Sequence, residues 1–149
     1  MDIYELQSKS EREQISWFLE RGTAYKRPQK FTFTFNGLVS DCKARAHYSE
    51  FLAMLNRNVL KQAYIRHGKE LKHLTVIEDA GGRHIHSSLE LPDDFDETKF
   101  RSIARTLWVD LLGHKHVDFG SDSFPNDNFL KYQLKSATKE LSITESIIY

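Results

Sequence analysis

The amino-acid sequence predicts an α+β protein in which an antiparallel sheet packs against amphipathic helices. A strand pattern at residues 31–36 is followed by a long helical pattern over residues 44–66. Two apolar stretches, residues 71–78 and 83–91, are separated by a glycine-containing turn, which is typical of a β-hairpin. A second helical pattern and a short strand follow, so helices and strands alternate along one chain.

The sequence of the N-terminal part predicts a helix, a connecting segment and the first strand. Residues 8–20 have apolar side chains at helical spacing, and Gly22 is expected to end this helix. The connecting segment contains Pro28. In residues 31–36 the side chains alternate between the two faces of a strand. The face expected in the core carries Phe31, Phe33 and Phe35, and the polar face carries Thr32, Thr34 and Asn36.

The remaining elements complete a βαββαβ order. The helix over residues 44–66 has an apolar stripe and is expected to end at Gly68. A second amphipathic helix over residues 96–112 precedes a short strand at residues 116–119. A last helix begins at Asn126 or Asp127 and runs to about residue 141; the tail, residues 142–149, is expected to be loose or an edge segment. This order predicts a ferredoxin-like core with an antiparallel central sheet.

Composition indicates one domain in a reducing compartment. The chain has 149 residues, 21 basic and 21 acidic side chains, and a single cysteine, Cys42. A chain of this length can bury a core without disulfides, and one cysteine cannot form an intramolecular bridge. A net charge of zero argues against a general nucleic-acid coat, although basic residues cluster in residues 21–30 and 57–72. The sequence has neither a membrane-spanning run nor a signal peptide, so we expect a soluble, cytoplasmic protein.

Two histidines in the predicted hairpin form a candidate metal site. His84 and His86 share one face of a strand, and Ile85 points into the core. Two neutral imidazoles on one face can bind a divalent ion. Glu78 becomes a third ligand only if it pairs opposite one of the histidines, which requires a loop of odd length or a bulge. A second such pair, His114 and His116, we interpret as the polar start of a strand.

The last helix carries a candidate nucleophile. Tyr132 and Lys135 are three residues apart and share a helix face, and Lys139 lies one turn further along. A tyrosine becomes a competent nucleophile towards phosphate when a metal withdraws charge from the phosphate and a nearby cation offsets the phenolate.

Taken in order, these elements resemble the three motifs of the His-hydrophobic-His (HUH) endonucleases. The matching parts are the polar-faced strand at residues 31–36, Glu78 with His84-Ile85-His86, and Tyr132-Gln133-Leu134-Lys135. The resemblance extends from about residue 30 to residue 140. Within the family, the pattern is most similar to the replication initiators of rolling-circle plasmids and phages.

The resemblance implies an activity, a cofactor and partners. His84, His86 and Glu78 would bind Mn²⁺ or Mg²⁺, and Tyr132 would attack the scissile phosphate of single-stranded DNA, leaving a 5′-phosphotyrosine and a free 3′-hydroxyl. Lys135 would stabilise charge at the phosphate. The DNA-binding residues would include Thr32, Thr34, Asn36 and Lys139. The substrate would be single-stranded DNA or a DNA hairpin at a replication origin in a microbial host.

The sequence departs from parts of the family pattern and leaves two alternatives open. Ser136 stands where some relatives carry a second tyrosine, so one tyrosine is expected to act. The chain has no phosphate-loop motif, so a host helicase would have to be recruited rather than supplied by a fused domain. On this interpretation residues 1–149 form one endonuclease domain, with residues 1–29 as a helical extension. The alternatives are a non-catalytic DNA-binding module of the same fold and a metal enzyme of another class that uses two histidines and one carboxylate.

Overall fold

The computed structural model describes residues 9–78, 82–120, 126–137 and 147–148, which form an α+β architecture. Within these residues the sheet has five strands, every neighbouring pair is antiparallel, and the order is β4-β1-β3-β2-β5. The strands are β1 (Pro28–Thr34), β2 (His73–Glu78), β3 (His84–Glu90), β4 (His116–Phe119) and β5 (Ile147–Ile148).

Helices cover both faces of the sheet. The described helices are α1 (Lys9–Thr23), α2 (Asp41–Leu60), α3 (Gln62–His67), α4 (Glu97–Arg105) and α5 (Asn126–Ala137), and α4 continues as a π-helical turn over Thr106–Leu111. The β1-α2-β2-β3-α4-β4 order and the 4-1-3-2 arrangement of these strands are compatible with the ferredoxin-like fold that the sequence predicts.

Two apolar clusters lie on opposite faces of the sheet. One joins β1 and β3 to α2 and α4 and is rich in aromatic residues, among them the buried Phe31, Phe33 and Phe35. The other joins β2 to α1 and α5. The alternation predicted for the first strand is therefore confirmed, although β1 begins earlier, at Pro28, and ends before Asn36.

The β2–β3 hairpin has the register that a shared site requires. Glu78 pairs with His84, and Ile77 pairs with Ile85. The connection is five residues long, from 79 to 83, which is an odd number and keeps Glu78 on the histidine face. Residues 79–81 lie outside the described part of the chain, and Gly82 has a φ of +110°. The prediction that Ile85 points into the core is confirmed, and Ile77 lies on that same opposite face, since both are buried in the aromatic cluster.

Three helix boundaries differ from the prediction. The helix predicted over residues 44–66 is broken at Lys61, which has a φ of +49° and separates α2 from α3. Gly22 lies inside α1, which ends at Thr23, and it packs so closely on α5 that a Cβ there would overlap the side chain of Leu130. The helix predicted over residues 96–112 changes from α to π at Thr106. In the π turn, the Trp108 indole N–H donates to the Thr34 carbonyl at 3.1 Å, tying this segment to the sheet.

The C-terminal tail contributes an edge strand, one of the two outcomes expected for it. Ile147 and Ile148 pair with Val76 and Thr75 of β2. Among the described residues there is no helix of the length and apolar character needed to cross a membrane.

Candidate metal centre

Cross-strand pairing places the predicted ligands on one face of the sheet. His84 stands opposite Glu78 on β2 and opposite Thr34 on β1. His86 stands opposite Thr32 on β1. Directly opposed residues on neighbouring strands share a face, with Cβ atoms about 4.5–5.5 Å apart. This face is the one that α1 and α5 partly cover.

His86 is the most enclosed member of the group. Its Nε2 lies 2.7 Å from Oε2 of Glu78, and its Nδ1 lies 3.1 Å from the hydroxyl of Thr32. Since a carboxylate only accepts, Nε2–H donates to Glu78, and the Thr32 hydroxyl, which can donate or accept, is the partner of Nδ1. His86 and Glu78 are 2% and 9% exposed, so water competes little with this contact.

The geometry brings together two of the three predicted ligands. Glu78 and His86 are in contact, whereas His84 is half-buried beside them on the same face. Within residues 9–78, 82–120, 126–137 and 147–148, no three His, Cys, Asp or Glu side chains are gathered as a ready cluster of ligands. Two imidazoles and a carboxylate are nevertheless a donor set that suits a divalent transition metal. Binding through Nε2 of His86 would require the tautomer that carries the ring proton on Nδ1, where the Thr32 hydroxyl can accept it.

Tyr132 lies directly against the ring of His86. It projects from α5, is 46% exposed, and its ring centroid lies 5.3 Å from that of His86 at an interplanar angle of 80°. Two tyrosines elsewhere in the described part of the chain are held in the protonated form. Burial, with Glu90 as a second cause, raises the pKa of Tyr25 to about 12, and burial raises the pKa of Tyr48 to about 12. Tyr149, the last tyrosine of the chain, lies outside the described residues.

The remaining predicted residues have different placements. Lys135 is exposed on α5 one turn beyond Tyr132. Thr32 contacts His86 and so belongs to the histidine network, while Thr34 stands beside His84 and Asn36 is exposed beyond the end of β1. Lys139 lies outside the described part of the chain.

Residues to which the sequence analysis assigned no role in the site also occupy this face. Gln133 and Ser88 are buried and hydrogen-bonded to each other beneath α5. His116 and Asp118 lie across β1 from the histidines, opposite Thr34 and Thr32, and are hydrogen-bonded at 2.7 Å. The parity of β3 places Ser88 on the histidine face, but the register of β4 against β1 is a tertiary feature that no local pattern indicates.

The two histidines of the second His-x-His segment differ in burial. His116 begins β4 and is exposed, as the interpretation of a polar strand start requires. His114 departs from it, because its ring is buried against Trp108 and Phe35 and lies 3.2 Å, Nε2 to Nδ1, from that of His47. Burial and the neighbouring His47 lower the pKa of His114.

The two basic clusters of the sequence meet at the other end of the hairpin. Clefts of about 340 and 390 Å³ lie there, around Lys72 and Glu90. Their basic residues, Arg21, Lys26, Lys69 and Lys72, are interleaved with the acids Glu70, Glu90 and Asp93. This mixture of charges gives the clefts no strong attraction for a polyanion, so the histidine face remains the candidate site.

Comparisons of the chain with models of known protein families, with curated proteins and with solved structures give no significant match.

Proposed function

We propose that this protein is a metal-dependent endonuclease that nicks single-stranded DNA through a tyrosine nucleophile, as in rolling-circle replication initiators. The observation that carries the proposal is the contact between the Tyr132 ring and His86, which is itself paired with Glu78. Three types of side chain that this chemistry needs are thus found within one small area: an imidazole pair, a carboxylate and a half-exposed phenol.

The site residues would have distinct roles. His84, His86 and Glu78 would hold a divalent ion, and Mn²⁺ suits mixed imidazole and carboxylate ligands while Mg²⁺ is also accepted. When bound, such an ion supplies positive charge that polarises the scissile phosphate. Thr32 orients the His86 ring through Nδ1, as outer partners of metal-binding histidines generally do.

Tyr132 would act as the nucleophile. Its hydroxyl oxygen forms a bond to phosphorus while the bond from phosphorus to the 3′-oxygen breaks, and the proton lost by the phenol is balanced by the proton gained at the 3′-oxygen. One phosphoester replaces another, so the nicked strand can be rejoined or transferred. Lys135, one turn away on α5, would offset charge that develops on the phosphate.

Covalent capture tests this proposal. Single-stranded oligonucleotides of mixed sequence, some with hairpins, are labelled at the 3′ end, because a 5′-phosphotyrosine retains the 3′ fragment. We expect a labelled band at the size of the protein plus DNA on a denaturing gel with Mn²⁺, and none with a chelator. Tyr132→Phe should bind the oligonucleotide as the parent does and form no adduct, whereas the control Tyr64→Phe on α3 should react normally. An undiminished adduct in Tyr132→Phe would refute the nucleophile.

A non-catalytic DNA-binding module is the second candidate. The observation that favours it is that both ring nitrogens of His86 are already hydrogen-bonded. The His86–Glu78 pair would then stabilise the sheet and bind no metal. Calorimetric titration with Mn²⁺ separates the candidates. The endonuclease predicts one bound ion that is lost in His84→Ala, His86→Ala and Glu78→Ala, and the module predicts DNA binding without any specific ion.

A further inference from the structure

Gln133, the neighbour of Tyr132, is buried with all of its hydrogen-bonding groups in use. Its side chain is 0% exposed. Its Nε2 donates to the main-chain carbonyls of His86 at 2.7 Å and Leu74 at 3.2 Å, and its Oε1 accepts from the Ser88 hydroxyl at 3.0 Å. A glutamine amide has two N–H donors and one carbonyl oxygen. Each of them therefore finds a partner on β2 or β3.

These bonds join the two halves of the candidate site. Tyr132 precedes Gln133 on α5, and the ring of Tyr132 lies 5.3 Å from the ring of His86. The shortest bond of Gln133 ends on the backbone of that same His86. A single hydrogen bond, from the Gln133 side chain to the His86 carbonyl, therefore links the proposed metal ligand to the residue that follows the proposed nucleophile.

Apolar packing locates α5, through Leu130 against Gly22 and the cluster on β2, but it supplies no directional bond that selects one rotation of the helix. Leu130 and Leu134 flank Gln133 on the same side of the helix and pack into the apolar cluster with Leu74 and Val76. Hydrophobic contacts are non-directional, so they tolerate a helix that slides or turns. Since successive residues lie about 100° apart around a helix of 3.6 residues per turn, a shift by one residue would carry Tyr132 away from His86. Hydrogen bonds are directional and permit one arrangement.

We infer that Gln133 is a positioning residue that sets the rotation and height of α5, so that Tyr132 faces His86. A single buried polar side chain that selects one register is known from coiled coils. The catalytic consequence of this inference rests on the proposed function, while its geometric part does not.

The geometric part is tested by the resonances of the His86 ring. Because an aromatic ring shifts nearby protons, the ring protons of His86 in the parent should be displaced from their position in Tyr132→Ala. Gln133→Met keeps the shape of the side chain and removes its hydrogen bonds, so we expect the Tyr132→Ala position. Gln133→Glu, which loses both donors, provides a second variant and should behave likewise. The matched control is Leu134→Ala, which weakens packing but keeps the bonds, and it should retain the parent position.

The catalytic part is tested by the rate of covalent adduct formation. Misplacement of a reacting group by about 1 Å can cost on the order of a hundredfold, so we expect a loss of that order in Gln133→Met with oligonucleotide affinity within about twofold of the parent. Leu134→Ala should react at the parent rate per folded molecule. If the parent forms no adduct, the proposed function fails and the His86 resonances still decide the positioning role. Parent-like resonances in Gln133→Met, or their loss in Leu134→Ala, would overturn the inference.

Discussion

His86 connects more parts of the candidate site than any other single side chain considered above. Its ring contacts Glu78, Thr32 and Tyr132, and its carbonyl accepts from Gln133. One ring nitrogen cannot donate a proton to Glu78 and bind a metal at the same time. A metal on Nε2 would therefore require the ring proton to lie on Nδ1, where the Thr32 hydroxyl could accept it.

Substitution of Glu78 should separate stability from metal binding. Glu78→Ala removes the acceptor for a buried N–H and should lower the free energy of unfolding by about 1–3 kcal/mol. Glu78→Gln keeps an oxygen that can accept from Nε2 of His86, so its loss should be smaller, yet a neutral amide is a poor metal ligand. Urea denaturation and Mn²⁺ calorimetry of both variants measure the two effects. Full metal affinity in Glu78→Gln would remove Glu78 from the ligand set.

His114 should make the fold sensitive to mild acid. Burial and His47 lower the pKa of His114 below its ordinary 6.5 in the folded state, so the unfolded chain binds more protons once the pH falls past that value. The stabilising contribution is present above about pH 6.5 and is lost below it. His114→Phe should therefore reduce the dependence of the free energy of unfolding on pH between 6.5 and 5. Urea unfolding at several pH values measures this, and an unchanged slope would contradict it.

At the level of the elements, the sequence predicts the features that follow from the alternation of side chains along a strand. It does not predict the features that follow from contacts between elements. The shared face of Glu78 and His84 could be argued on paper, because it follows from an odd loop length. The close packing of Leu130 from α5 on Gly22 could not, because it depends on two helices that are far apart in sequence. The role of Gln133 was hidden for the same reason, because its partners lie on strands far away in sequence.

The break at Lys61 gives a prediction for the α2–α3 junction. Lys61 has a φ of +49° and a ψ of −117°, a conformation that glycine adopts far more easily than lysine. Such strain costs on the order of 1–3 kcal/mol, so Lys61→Gly should raise the free energy of unfolding by about 1 kcal/mol after the entropic cost of glycine. Lys69→Gly is the control, because Lys69 has no positive φ, and it should be neutral or destabilising. Thermal unfolding of both variants measures the difference.

For the whole molecule, the sheet separates an aromatic core from a polar site. The cluster that contains Phe31 and Phe33 fills one face. On the opposite face, the side chains of β1 and β3 are buried beneath α5 and become half-buried further along the strands, at Thr34 and His84. The sequence indicated both faces of the first strand. It could not indicate that His116 and Asp118 lie on the polar face, because that depends on the register of β4 against β1.

The two-residue strand β5 should matter more than its length suggests, because it covers the outer edge of β2. Ile147 is 3% exposed in the cluster with Leu74 and Val76, while Ile148 lies on the other face and is only half-buried. Ile147→Ala should therefore cost about 2–5 kcal/mol, and Ile148→Ala clearly less. Removal of residues 147–149 would leave the edge of β2 open to pairing with other chains, so we expect association that rises with protein concentration in light scattering. Equal costs for the two alanine variants, together with a monomeric truncated chain, would show that β5 does not protect this edge.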